Sequence, residues 1–178
     1  MKNSAVLVID VQQGLCVGEG KPYDCEGTIS RINQVTEKAR AANVPVIFIQ
    51  HESSSGYLEY GTEDWQLTDG LVNLPTDWYV RKITPDSFLR TDLGHLLSEK
   101  GIDQLIICGM HSEFCVDTTT RRALALGYPV TLVGDAHTSA GNAAISAAQV
   151  IAHHNATLSS ISSFGPRATI VSAAEIQF

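Results

Sequence analysis

Long hydrophobic runs are missing from this sequence of 178 residues. No apolar stretch reaches the roughly 18 residues that a membrane-spanning helix needs, so no membrane segment is predicted. Within residues 1–20, the one apolar stretch contains Asp10, and this charge argues against a secretion signal.

Positive charge is also scarce. The chain has 12 Lys and Arg residues against 19 Asp and Glu residues, which gives a formal net charge of -7, and no local cluster of Lys and Arg offsets it. A nucleic-acid partner is therefore not predicted. Small neutral or cationic substrates remain compatible with this charge.

Cysteine is sparse and carries no paired spacing. The four cysteines, at positions 16, 25, 108 and 115, form no CxxC motif. Without a secretion signal they are expected to be reduced thiols, and the protein is expected in the cytoplasm. Cys108 lies in an apolar run and is expected in the core, while Cys16 and Cys25, in a glycine-bearing loop, receive no role.

What the sequence does contain is an alternation of strands and helices. At 44% hydrophobic and 17% charged residues, residues 1–178 fit one globular domain. Five Val- and Ile-rich runs are mostly unbroken, as in strands covered on both faces. They are AVLVID (5–10), VPVIFIQ (44–50), WYVRK (78–82), QLIICG (104–109) and YPVTLVGD (128–135). A sixth strand is expected in either ATLSSI (156–161) or ATIVSA (168–173).

Helical spacing fills the segments between these runs. Four helices are predicted: one through Ile29 to Ala39, one capped by Thr91 and ended by Gly101, and two over 116–126 and 145–154. The alternation predicts an α/β fold of the Rossmann-like, three-layer α/β/α type, with a mainly parallel sheet of about six strands in the order 3-2-1-4-5-6.

Residues 51–77 do not follow this alternation of strands and helices. The segment has no clear periodicity and carries three glycines together with Tyr57, Tyr60 and Trp65. Connections of this length in compact domains are usually functional or mobile, so we expect a wall or lid of a site, with a plain surface excursion as the alternative.

Three reactive side chains lie at or just beyond the carboxyl ends of strands in this sheet. Ligands of open α/β sheets bind beyond the carboxyl ends of the strands, where the strand order reverses. Asp10 closes the first strand, Lys82 the third, and Cys115 follows the fourth. Each also has an ordinary explanation as a turn former, a solvated lysine or a packed thiol. The expected position of Cys115 in the first turn of a helix favours a nucleophile, because the helix dipole and a lysine ammonium would lower its pKa.

The order of these motifs resembles that of the isochorismatase-like cysteine hydrolases along nearly the whole chain. The resemblance rests on VLVIDVQ with Asp10 and Gln12, on RKITPDSFLRTDL with Lys82, and on CGMHSEFCVDTTTRRALALGYPVTLVGDAHT with Cys115. Ser112 stands where many relatives have threonine, and Asp86 stands where serine is frequent.

The resemblance implies a hydrolase that cleaves a small-molecule amide or related C–N bond through a thioester. Cys115 would be the nucleophile, Asp10 its base and Lys82 their electrostatic partner, with the backbone N–H groups of His111 and Cys115 as the oxyanion hole. It also implies a cis peptide bond between Met110 and His111. Alternatives are a vinyl-ether hydrolase of the isochorismatase type, a non-catalytic binding or scaffold protein on the same fold, and a redox protein.

The remaining expectations concern the pocket and its partners. Gln12, Trp65, Phe88 and His137 are candidates for the substrate pocket. No metal is predicted, because His51 and Glu52 alone occupy the segment where metal-binding relatives carry several ligands. No cofactor is predicted either, since Gly14 to Lys21 fails the phosphate-loop spacing. By analogy with relatives, a homo-oligomer (dimer or tetramer) is expected. The substrate itself is not readable from the sequence.

Overall fold

The structure, a computed structural model, describes residues 3–18 and 20–178. Its centre is a sheet of six strands in the order β3-β2-β1-β4-β5-β6, in which every neighbouring pair is parallel. The predicted fold class and strand order are confirmed. The strands are β1 (Ser4–Ile9), β2 (Val46–His51), β3 (Trp78–Lys82), β4 (Gln104–Met110), β5 (Val130–Thr138) and β6 (Ala168–Val171).

Helices cover both faces of this sheet. They are α1 (Gln13–Cys16), α2 (Cys25–Ala41), α3 (Leu93–Glu99), α4 (Asp117–Ala125) and α5 (Ala147–Ser160), and a π-helical turn over Ser112–Val116, called the π-turn below, precedes α4. Among the described residues, no helix combines the length and the apolar character needed to cross a bilayer.

The unbroken apolar strands follow from this double covering. Successive side chains of a strand point to opposite faces, so β1 supplies Leu7 and Ile9 to one core and Val6 and Val8 to the other. The second core contains the apolar face of α2, and the first contains apolar residues of α3, α4 and α5. Each fully buried Leu, Ile or Val contributes about 1.5–3 kcal/mol relative to an exposed position.

Several element boundaries differ from the sequence predictions. ATLSSI lies in α5 apart from its last residue, so the sixth strand is the alternative segment, Ala168–Val171. The N-cap of α3 is Asp92, although the Thr91 hydroxyl still accepts the Leu93 N–H at 3.3 Å. The helical chain around Cys115 begins four residues earlier than residue 116, in the π-turn.

Cys108 tests the core assignment. Its side chain is fully buried in β4, and its thiol lies 3.6 Å from the Leu7 carbonyl oxygen. Cys108→Ala should lower the free energy of unfolding by about 1–2 kcal/mol, because a small buried group is lost from a packed strand. Urea denaturation would measure this, with Leu126→Ala as the control, since Leu126 is 47% exposed. Equal stabilities of the two variants would contradict the core assignment.

Candidate active site

The three predicted reactive residues meet at the carboxyl edge of the sheet. Asp10 follows β1, and Lys82 is the last residue of β3, where it pairs in register with His51 at the end of β2. Cys115 lies in the π-turn that follows β4. Because all these strands run parallel, their carboxyl ends share one edge, and the order β3-β2-β1-β4 brings the side chains together.

The Lys82 ammonium occupies the centre of this group. Its Nζ atom lies 2.6 Å from Asp10 Oδ2, 3.2 Å from Cys115 Sγ and 3.2 Å from His51 Nδ1. An ammonium has three N–H donors, so each of the three has one acceptor. The Asp10 and Lys82 side chains are at most 1% exposed. The ion pair is therefore shielded from solvent.

His51 is a member of this group that sequence reasoning did not assign to it. Burial and the adjacent ammonium lower the pKa of His51, so its imidazole is neutral near pH 7 and Nδ1 can accept the Lys82 N–H. Its position opposite Lys82 in the β2–β3 register could have indicated this contact, but registers are not visible in a single sequence.

The protonation of Cys115 is opposite to the sequence expectation. Burial and the Asp10 charge raise the pKa of Cys115 to about 12, and the nearby Lys82 ammonium opposes them only in part. The expected lowering of its pKa is therefore wrong for the resting state, because desolvation and a carboxylate outweigh the ammonium. At neutral pH the thiol retains its proton until a base removes it.

The Asp10 carboxylate lies close to this thiol. Its backbone has a φ of 52°, a left-handed conformation that Asp tolerates better than most residues. Oδ2 binds Lys82, whereas Oδ1 is buried and has no hydrogen-bond partner among the described residues. The carboxylate and Cys115 Sγ lie within 4.8 Å of one another.

The loop before Cys115 is fixed from two sides. Gly109 has a φ of 122°, and a Cβ atom there would lie 2.1 Å from the Ile9 carbonyl oxygen, so only glycine fits beside β1. The Met110–His111 peptide bond is cis. Ser112 is fully buried, and its Oγ atom lies 2.7 Å from His137 Nδ1. His137 Nε2 lies 2.9 Å from Asn155 Oδ1.

The hydrogen bonds that connect Ser112, His137 and Asn155 have a defined donor-to-acceptor direction. The Asn155 amide donates to the Gly134 carbonyl, so its oxygen faces His137 and accepts from Nε2. His137 Nδ1 is then an acceptor, and the Ser112 hydroxyl donates to it. Residues on β5 and α5 thereby hold the start of the π-turn.

A cavity of about 260 Å³ opens beside the reactive residues. Ten residues line it, and the connection between β2 and β3 contributes Ser53, Tyr57 and Leu58 to its wall. This part of the long segment 51–77 is therefore a wall of the cavity. The complete lining is Asp10, Leu15, His51, Ser53, Tyr57, Leu58, Met110, His111, Phe114 and Cys115.

The four residues suggested for the pocket lie elsewhere. Gln12 is fully buried and clamps the chain, since its amide donates to the carbonyls of His51 and Trp65 and accepts the His51 N–H. Trp65 packs edge-on against Tyr60.

Phe88 and His137 are also absent from the lining of the cavity. Phe88 belongs to the core beside α3 and stacks on Tyr128, whereas His137 is buried in the chain with Ser112. For both, burial in the core or in a hydrogen-bond network replaces the expected contact with substrate.

A metal ligand set can also be considered at this site. Asp10, His51 and Cys115 each offer a donor atom, and these atoms lie within 4.8 Å of one another. The Lys82 ammonium contacts all three, however, and it supplies the positive charge that a metal ion would bring. A divalent cation in the same place would be repelled by the ammonium.

Comparison with known proteins identifies the family. Residues 4–163 match the isochorismatase domain model. A solved structure described as an isochorismatase family protein is 36% identical, with a TM-score of 0.88, over 97% of this chain and 99% of that chain.

Two curated relatives have stated activities. Streptothricin hydrolase from Streptomyces noursei is 35% identical over 75% of this chain and 53% of its own length. Ureidoacrylate amidohydrolase RutB from Pseudomonas syringae pv. syringae is 27% identical over 78% of this chain and 71% of its own length. The chain thus spans about half the length of the streptothricin hydrolases that it matches. With a domain match over most of its residues, the chain belongs to the isochorismatase family.

Proposed function

We propose that the protein hydrolyses a small-molecule amide or related C–N bond through a thioester on Cys115. The observation that carries this proposal is the convergence of the Asp10 carboxylate, the Cys115 thiol and the His51 imidazole on one buried ammonium. The names of two relatives, streptothricin hydrolase and ureidoacrylate amidohydrolase, support hydrolysis as the reaction class.

The first step is removal of the thiol proton. Cys115 is protonated at rest, and the Asp10 carboxylate lies within 4.8 Å of its sulfur, with an Oδ1 atom that has no hydrogen-bond partner among the described residues. As the proton moves to Asp10, the developing thiolate retains the Lys82 N–H at 3.2 Å, so the ammonium stabilises the negative charge that is transferred.

The thiolate then attacks the substrate carbonyl, and a carbon–sulfur bond forms. The backbone N–H groups of His111 and Cys115 are proposed to receive the oxyanion, as the oxyanion hole of this site. When the C–N bond breaks, the proton on Asp10 passes to the leaving amine or ammonia. Asp10 next takes a proton from the water molecule that attacks the thioester. The C–S bond then breaks, the acid product leaves, and the proton on Asp10 returns to the sulfur to regenerate the thiol.

The proposal also includes a cellular compartment and an oligomeric state. All four cysteines are free thiols, which supports a reducing compartment such as the cytoplasm.

The edge strand β3 exposes Tyr79, and the following loop exposes Ile83 and Leu89, at 43–55% of their surface. Exposed apolar residues beside a sheet edge favour assembly into a homo-oligomer.

Cys115→Ala should abolish amide turnover, because no other thiol reaches the cavity, while the fold is retained. Ammonia or amine release from a panel of small amides measures turnover, and circular dichroism checks the fold. Cys108→Ala is the matched control, since it removes a buried cysteine outside the cavity and should remain active at temperatures where it is folded. Turnover that survives in Cys115→Ala would exclude the thioester route.

Asp10→Asn should separate the role of Asp10 as a base from its effect on the thiol. Turnover should fall by roughly 10²-fold or more with the loss of a general base. Because the Asp10 charge raises the pKa of Cys115, the same change should lower that pKa. The pH dependence of iodoacetamide labelling should then shift to lower pH even as turnover falls.

Lys82→Arg should turn over substrate more slowly than the wild type, because the planar guanidinium group of arginine cannot reproduce the three contacts of the Lys82 ammonium. Thermal unfolding of each variant controls for loss of the buried pair. Near-normal turnover in Asp10→Asn would remove Asp10 from the mechanism.

Chelation should leave turnover unchanged, because Lys82 supplies the positive charge among the three possible metal ligands. Dialysis against EDTA, followed by metal analysis and assay, tests this expectation. Lys82→Met is the informative control, since it frees the three ligands and should increase the zinc affinity of the protein. Activity that is lost on chelation and returns with a divalent metal would contradict a metal-free mechanism.

A further inference from the structure

Half of the cavity wall consists of apolar and aromatic side chains. Leu15, Tyr57, Leu58, Met110 and Phe114 make up half of its ten lining residues. Met110 and Leu58 are buried at 0% and 4% exposure, whereas Tyr57 and Phe114 are exposed at 56% and 57%. The two aromatic side chains therefore give the opening of the cavity an apolar rim, and the buried pair continues that surface inward.

This rim is held in place. The Tyr57 hydroxyl donates to the Gly14 carbonyl at 2.8 Å, which ties the β2–β3 connection to α1. Phe114 lies in the π-turn, one residue before Cys115. An apolar group on a substrate would consequently contact both rings while its carbonyl approached the thiol.

The lining of the cavity carries a carboxylate but no cationic side chain, and the nearby Lys82 ammonium is already paired with that carboxylate. Asp10 brings a carboxylate into the lining. Burial lowers the pKa of both His51 and His111, so neither imidazole is charged near neutral pH. None of the ten lining residues is a lysine or an arginine. The Lys82 ammonium lies 3.2 Å from Cys115 Sγ, but its charge is already paired with Asp10 at 2.6 Å.

A substrate carboxylate would therefore find the adjacent cation already paired with Asp10 and would also face the Asp10 carboxylate. Removing a carboxylate from water without a partner is costly, and an adjacent like charge adds to that cost. The volume of about 260 Å³ lies below the roughly 300–1,000 Å³ of typical drug-sized pockets, so the ligand must also be small.

We propose that the substrates of this protein are small, uncharged amides that carry an apolar group, and that amides bearing a carboxylate are rejected. The inference rests on the function proposed above and specifies its substrate class. An anionic amide such as ureidoacrylate is accordingly expected to be a poor substrate.

Charge selection can be measured without knowing the substrate. Iodoacetamide and iodoacetate alkylate a thiolate by the same reaction, in which a carbon–sulfur bond forms and iodide leaves, and they differ in charge. The rate at which each labels Cys115 is followed by peptide mass spectrometry, with Cys115→Ala as the blank. Each rate is divided by the rate for 2-mercaptoethanol, an uncharged thiol, at the same pH, which removes the intrinsic reactivity of the reagents.

The normalised rate for iodoacetate should be about tenfold or more below that for iodoacetamide, because the cavity offers the carboxylate no partner. N-phenyl iodoacetamide should label Cys115 several-fold faster than iodoacetamide after the same correction, through contact with the apolar rim. A normalised iodoacetate rate equal to or above that of iodoacetamide would overturn the proposal, as would failure of both reagents to label Cys115.

Phe114 offers a matched pair of variants. Phe114→Arg places a cation at the rim and should raise the relative rate of iodoacetate, whereas Phe114→Met keeps an uncharged side chain of similar length and should not. An equal response of the two variants would contradict charge selection at the rim.

An amide panel distinguishes this inference from the reaction itself. Faster hydrolysis of carboxylated amides than of their neutral counterparts would overturn the substrate class and leave the thioester mechanism standing. If no amide is hydrolysed while the alkylation rates keep their predicted order, the proposed reaction is wrong and the charge selectivity of the cavity stands.

Discussion

The buried ion pair between Asp10 and Lys82 is the interaction on which the site depends. Two charges that are at most 1% exposed are tolerated only while they remain paired, and loss of one partner costs about 3–5 kcal/mol. Lys82 has to extend from β3 past β2 to the end of β1. A one-residue slip of β3 would turn its side chain to the other face of the sheet. The register that pairs Lys82 with His51 is therefore both a structural and a chemical requirement.

Much of this fold could be predicted from the sequence because its strands are long, apolar and rich in β-branched residues. The ambiguity over the sixth strand arose because ATLSSI and ATIVSA have similar local composition. A capping box of Ser146 and Gln149 starts α5, and this helix continues through most of the first segment. The π-turn before α4 has no such signal, because a wide turn depends on how the chain leaves β4.

The reactive residues could also be predicted, since Asp10, Lys82 and Cys115 follow or end strands whose order the alternation implies. The cavity wall could not. Tyr57 and Leu58 come from a connection without periodicity, and the contacts of His137 depend on where α5 packs. The protonation state of Cys115 could not be predicted either, for a related reason. Its sequence position indicates a helix start and a neighbouring lysine, but burial is a property of the folded chain and has the larger effect.

The strand ends hold the ion pair, whereas the β2–β3 connection supplies part of the cavity wall. This separation has an evolutionary consequence. The ion pair and Cys115 are fixed by sheet register and by the close approach at Gly109, so few substitutions are tolerated there. Tyr57, by contrast, projects from a surface connection into the rim, where insertions and replacements disturb no strand. Descendants of such a protein could exchange one substrate for another by rewriting this connection alone. Divergence within the family would then accumulate in the cavity rim, while the reacting centre stays unchanged.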